Sequence, residues 1–315
     1  MIAFIFPGQG SQKIGMGRAL AETFPVCRET FAEADEALGE PLSQLCFDGP
    51  DDRLMLTENT QPAILTVSTA ASRLLASLGM EPAFVAGHSL GEYSAHVAAG
   101  TLPFAEALRL VRRRGRYMQE AVPVGAGAMA AILGLDASEV ARACDEAAEG
   151  QVVAPANLNG PGQVVIAGTA EAVQRAGERA RAMGARRVIP LAVSAPFHCA
   201  LMKPAEERLA PELRAASAQD PRVPVVANVD GEPKRDRAAA IEALVRQVSS
   251  PVQWERVLRR LASEGVTAYV EVGPGAVLSG LVRKIHREAR VANIADPADV
   301  DAVSAIFGRQ STSTS

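Results

Sequence analysis

Ser89 stands between two glycines in Gly87-His88-Ser89-Leu90-Gly91, and a serine framed this way is suited to one kind of chemistry. On a sharp strand-to-helix turn its hydroxyl would project at the carboxyl end of a sheet as a nucleophile for acyl transfer. The free N–H groups and positive dipole end of the following helix would then point to where a tetrahedral oxyanion forms. The competing reading is an ordinary turn serine, because a chain with 26 glycines produces such a pentapeptide by chance easily enough. The flanking residues favour the elbow. Residues 83–86 are an unbroken apolar run that reads as a buried strand, and Leu90, Tyr93, Ala95, Val97, Ala98 and Ala99 read as a helix closing at Gly100.

Two further residues have chemistry to add. The segment 104–122 reads as a helix with the apolar stripe Phe104, Leu108, Val111, Met118 and Val122, and it carries three consecutive arginines. At about 100° per residue Arg113 points nearly opposite the stripe, Arg112 lies about 90° from its centre and Arg114 about 70° on the other side, so Arg114 is the best candidate to face inward. His198, in Pro196-Phe197-His198-Cys199, follows a predicted strand at the seam between two domains, where clefts form. The plain alternative is a structural or surface histidine. No acidic third member for a serine–histidine pair stands out. Pro7-Gly8-Gln9-Gly10-Ser11-Gln12 follows the first strand without the spacing or the Gly-Lys-Ser/Thr ending of a phosphate loop, so it reads as a tight backbone loop beside a site.

The elements that must position these residues follow from periodicity. Residues 2–6 form a strand, 61–78 a long buried helix leading into the elbow strand, and 104–122 the arginine-bearing helix. Between 125 and 193 the order is strand 128–133, helix 138–148, strands 152–157 and 164–167, helix 170–183 and strand 187–193, a split β-α-β arrangement. Afterwards come helix 204–216, strand 223–229, helix 238–248 ending near Gln247, the segment 251–262 with Trp254, strand 267–272, and a last helix opened by Gly273-Pro274-Gly275 and running to His286. The expected fold is α/β: an α/β-hydrolase-like large domain (1–124 and 194–300) with a parallel sheet and nucleophile elbow, a ferredoxin-like insert (125–193), and a tail (301–315) with a disordered end.

At 315 residues, 48% hydrophobic and 22% charged, the chain has the composition of a globular protein large enough for one big domain or two unequal ones. A net charge of −4 without a long Lys/Arg block argues against a nucleic-acid surface. The N-terminus lacks the basic region and length of a signal peptide, and no apolar run approaches the roughly 20 residues of a membrane span. Cys27, Cys46, Cys144 and Cys199 are scattered, with no metal-ligand spacing, and read as reduced cytosolic thiols.

Six motifs, in order, resemble the malonyl-CoA:acyl carrier protein transacylase family: Phe-Pro-Gly-Gln-Gly-Ser-Gln at 6–12, Gly-His-Ser-Leu-Gly-Glu-Tyr at 87–93, Arg-Gly-Arg-Tyr-Met-Gln at 114–119, Pro-Phe-His at 196–198, Pro-Val-Gln-Trp at 251–254 and Glu-Val-Gly-Pro-Gly at 271–275. The resemblance spans roughly residues 2–295 and implies ping-pong acyl transfer in the cytoplasm, from malonyl-CoA to an acyl carrier protein, with no permanently bound cofactor and no metal. It implies Ser89 as nucleophile, His198 as base, and a carbonyl oxygen at Gln247 to orient the histidine. It further implies an oxyanion hole from the N–H groups of Gln9 and Leu90, Arg114 as a two-pronged grip on the malonyl carboxylate, and His88, Asn157 and Asn159 around the pocket. In related acyltransferases a phenylalanine before the histidine accompanies malonyl, so Phe197 suggests a pocket too crowded for an α-methyl group.

Two other function classes fit parts of the pattern. A hydrolase of the same fold would use Ser89 and His198 but release the acyl group to water, and would have no use for Arg114. A non-catalytic carrier-docking module would need none of the three. An acidic carrier would have to meet a local basic surface on this mildly acidic chain, and Arg186, Arg187, Lys203, Arg208, Lys284 and Arg287 are the candidates.

Overall fold

The computed structural model describes residues 1–193 and 195–308. Among them, β1 (Ile2–Phe6) and β2 (Phe84–Gly87) open a six-stranded sheet. β3 (Gly127–Leu133), β4 (Val153–Gly160), β5 (Gln163–Thr169) and β6 (Arg187–Pro190) make a second sheet of four strands, and β7 (Val225–Val226), β8 (Pro233–Lys234), β9 (Ala268–Val272) and β10 (Arg290–Ile294) return to the first.

The large sheet runs β10-β9-β1-β2-β7-β8 and is parallel except for the final β7–β8 hairpin. Its central strands must be covered on both faces, because Ile2-Ala3-Phe4-Ile5-Phe6 and Phe84-Val85-Ala86-Gly87 contain no polar residue to turn toward water. Helices supply the cover. Phe4, Phe6 and Val85 face one layer with the buried helix Thr57–Ser77, while Ala3, Ile5 and Ala86 face another with Trp254, Val257 and Leu261 of the helix Trp254–Ser263.

The small sheet runs β4-β5-β3-β6 and is antiparallel throughout, in the β-α-β-β-α-β order expected for this region. Its central strands β3 and β5 alternate. Ala130, Ile132, Val164 and Ile166 pack under the helices Ala137–Ala147 and Ala170–Ala182, and the intervening Met129, Val165 and Ala167 turn to the main core. No helix among the described residues is long and apolar enough to cross a membrane.

Three expectations need correction. The strand expected over 223–229 shrinks to Val225–Val226, because a turn closed by Gly231 N–H to Ala227 O and Ala227 N–H to Glu232 O folds the chain back as β8. The strand expected over 187–193 stops at Pro190. The helix thought to be the last, observed as Val277–Ile285, is followed by β10 and by the helix Val300–Ile306, whose Val303 and Ile306 are buried and whose neighbour Phe307 meets Phe4 edge-on. The segment called a tail from 301 therefore begins as part of the core. The disorder expected at the end of the tail falls at 311–315, outside the described residues.

Candidate active site

Ser89 lies two residues past β2 and caps the helix Leu90–Ala98, with φ of 52°. A non-glycine residue rarely adopts this left-handed conformation, and its surroundings must hold it there. The flanking glycines show how. A Cβ added at Gly87 would lie 1.9 Å from the Gly91 carbonyl, and one at Gly91 would lie 2.0 Å from the Phe6 carbonyl oxygen, so the turn closes against β1 only because both positions lack a side chain. Asn228 clasps the joint from the end of β7. Its Oδ1 accepts from the Ser89 N–H at 2.7 Å and its Nδ2 donates to the Gly87 carbonyl at 2.7 Å.

His198 Nε2 lies 2.6 Å from Ser89 Oγ, and its Nδ1 lies 3.0 Å from the main-chain oxygen of Gln247. A carbonyl can only accept, so Nδ1 carries the proton and Nε2 is left as the acceptor for the serine hydroxyl. Burial first, then the nearby positive charge of Arg114, push the imidazole down to about 3, against the bond to Gln247, so it is neutral at physiological pH. His198 too has a positive φ, 61°.

Arg114 is 2% exposed, facing inward as its angle on the helix suggested. It donates through Nη1 to Gln61 Oε1 at 2.7 Å, and through Nη2 to Gln247 Oε1 at 2.9 Å and Ser89 Oγ at 3.2 Å, and it lies over the Tyr93 ring. Every one of these hydrogen-bond acceptors is neutral, so the guanidinium keeps its charge for a further partner. Arg113 pairs outward with Glu212, and Arg112 reaches Asn59 and Glu40.

Ser89, Arg114, His198, Gln9, Leu90, His88, Phe197 and Asn157 line one cavity of about 610 Å³, whose walls also include Met118, Met129 and 191–193. Gln247 and Asn159 stand behind the wall. The Gln247 main-chain oxygen faces His198 Nδ1, while Asn159 Oδ1 lies 2.8 Å from His88 Nε2, and burial lowers the His88 pKa. The Gln9 side chain bonds Thr57.

Sequence reasoning missed Asn228, Gln61 and Glu92. Gln61 carried a usable signal, as a polar residue opening a helix read as buried, and Glu92 stands inside the motif at 87–93. Asn228 was hidden in a stretch read as strand. A neutral imidazole within reach of a projecting hydroxyl can strip its proton as it attacks a carbonyl carbon, and a buried cation beside that hydroxyl selects an acyl group ending in an anion.

The acyl transferase domain family matches residues 3–306. The malonyl CoA-acyl carrier protein transacylase of Salmonella typhimurium is 53% identical over 301 residues, covering 95% of this chain and 97% of that protein. An acyl carrier protein S-malonyltransferase structure from Vibrio cholerae is similar with a TM-score of 0.94 at 49% identity, covering 96% of this chain and 99% of that one. A malonyl-transacylase solved in complex with its holo type II PKS acyl-carrier protein gives a TM-score of 0.94 at 48% identity, covering 98% and 99%.

Proposed function

The chain belongs to the acyl transferase domain family, and from that premise we propose that it moves a malonyl group from malonyl-CoA to the phosphopantetheine thiol of an acyl carrier protein, supplying extender units for fatty acid or polyketide synthesis. The observation that carries the reading is the 3.2 Å contact between the hydroxyl that would be acylated and a buried guanidinium whose hydrogen-bond partners are all neutral. In this reading β2 and the helix after it make a nucleophile elbow on an α/β-hydrolase-like sheet, with 125–193 as a ferredoxin-like inserted subdomain.

His198 takes the Ser89 proton as Oγ attacks the thioester carbonyl, the N–H groups of Leu90 and Gln9 hold the oxyanion, and the imidazolium returns the proton to the departing coenzyme A sulfur. The carrier thiol then gives its proton to His198 and attacks the malonyl-serine, and Ser89 recovers its hydrogen. Arg114 holds the malonyl carboxylate through both steps. Phe197, buried in the cavity wall, leaves little room for an α-methyl branch, and Asn157 lines the same wall. Four free, buried cysteines fit a cytoplasmic setting, and no permanent cofactor enters the scheme. On the proposed carrier-facing side Lys203 and Arg208 already pair with Glu206 and Glu120, whereas Lys284 donates to the neutral Gln163, which leaves Arg186, Arg187, Lys284 and Arg287 as the better attractors of an acidic partner.

Mixing the protein with malonyl-CoA should add one malonyl group to Ser89 by mass spectrometry, and Ser89→Ala should abolish the adduct. Carrier protein should discharge it faster than water does. Stoichiometric labelling of Ser89→Ala would remove the nucleophile, and discharge to water at an undiminished rate would put a hydrolase in its place.

A further inference from the structure

Glu92 is fully buried one helical turn beyond Ser89, and the transfer scheme gives it no task. Its Oε2 accepts from Gln247 Nε2 at 2.8 Å and from the Asn228 N–H at 3.1 Å, while Oε1 is buried with no hydrogen-bond partner among the described residues. Across the same Gln247 amide, Oε1 accepts from Arg114. One side-chain amide therefore joins a buried carboxyl to a buried guanidinium, donating to the first and accepting from the second.

A lone buried charge is costly unless an opposite one lies near, and among the described residues Arg114 has no carboxylate in direct contact. The other titratable groups around Glu92 do not serve. Asp230, beyond β7, is engaged by Lys234 and Arg246. Tyr93 is pushed up to about 12, His96 and His198 are pushed down to about 3 and His88 is lowered, so all four are neutral. The packed strands β1, β2 and β7 hold no titratable side chain, and the helix Thr57–Ser77 turns the neutral Gln61 to the guanidinium.

We propose that Glu92 is the internal counter-charge of Arg114 in the empty enzyme, and that it accepts a proton from solvent when a substrate carboxylate docks on the guanidinium. The inference rests on the malonyl reading above. One negative charge enters and one is neutralised, so the buried site keeps its balance and the clamp favours acyl groups bearing a single carboxylate. Burial holds the Glu92 carboxyl up at about 7, so the exchange falls in the physiological range. Docking favours the protonated acid, so malonyl affinity is full below about pH 7 and declines as the pH rises through it.

The test is calorimetric binding of malonyl-CoA to the Ser89→Ala protein at pH 8, in buffers of different ionisation enthalpy. A substantial fraction of a proton should be taken up, falling toward zero at pH 6. Acetyl-CoA, which shares the nucleotide phosphates but lacks the carboxylate, should show none of this excess, and Ser89→Ala/Glu92→Gln should lose it. In the wild type, KM for malonyl-CoA should rise with pH by up to about tenfold per unit, a slope absent in Glu92→Gln even though glutamine can keep the bonds to Gln247 and Asn228. No uptake, or uptake that survives Glu92→Gln, overturns the proposal. If malonyl-CoA acylates Ser89 in the wild type while no proton is taken up, this inference alone fails; if Ser89 is never acylated, the function itself fails.

Discussion

The two sheets meet at one cavity and contribute to it differently. The large sheet fixes its side by main-chain geometry: Ser89 and His198 are held at positive φ, two glycines admit no Cβ, and Asn228 and Gln247 bond directly to the Ser89 backbone. The small sheet meets the same space chiefly through side chains, with Met129, Val165 and Ala167 turned to the main core. Its edge strand β4 joins Val252 through two main-chain bonds, Leu158 N–H to the Val252 carbonyl and Val252 N–H to the Ala156 carbonyl, and Asn159 reaches His88. In the proposed reaction the reacting groups lie where the main chain is fixed most closely, and the small sheet supplies the facing wall of the cavity through side chains such as Met129 and Asn157.

The comparison can be broken from either side. The largest effect belongs to His198→Ala, which should slow acylation by roughly 10³-fold or more while residual activity survives from the oxyanion hole and binding. Rapid-quench labelling with malonyl-CoA measures it, and undiminished labelling would take the base out of the scheme. Next is Arg114→Ala, for which kcat/KM with malonyl-CoA should fall by about 10² to 10⁴, as breaking one side of a buried ion pair costs about 3–5 kcal/mol. Acetyl-CoA should lose much less, because its transfer needs no cation, although Gln61 and Gln247 are left without a donor. A parallel fall for both thioesters would make Arg114 structural and weaken the malonyl reading. Smallest is Asn159→Ala on the small-sheet side, which should cost about 1 kcal/mol of stability and only a few-fold in kcat/KM. Thermal melts and steady-state rates test it together, and a loss rivaling that of His198→Ala would mean the small sheet shares in the chemistry.

What the sequence made legible depended on how local each signal was. Ser89 announced itself through neighbours within two residues, and Arg114 through a helical stripe that its own helix preserves. His198 could be placed at a seam but not oriented, because its partner is a main-chain oxygen 49 residues away and every residue has one. Asn228 was unreadable because Val225-Val226-Ala227-Asn228-Val229 has strand composition, and only the tertiary turn that starts β8 takes Asn228 out of the ladder and onto Ser89. β10 escaped notice because Val291 and Ile294 make a short apolar run with Asn293 inside it, and its pairing with β9 is decided by the sheet edge waiting there.

The carbonyl that steadies His198 has a genetic consequence. Where a side chain orients a catalytic histidine, one codon change can delete the acceptor, but here the acceptor belongs to the peptide chain, and all twenty amino acids supply it. Variation at codon 247 can strip the amide that bridges Arg114 and Glu92 without erasing the oxygen that aims the imidazole. In the proposed scheme, selection can therefore retune the clamp at that codon without removing the acceptor that faces the imidazole.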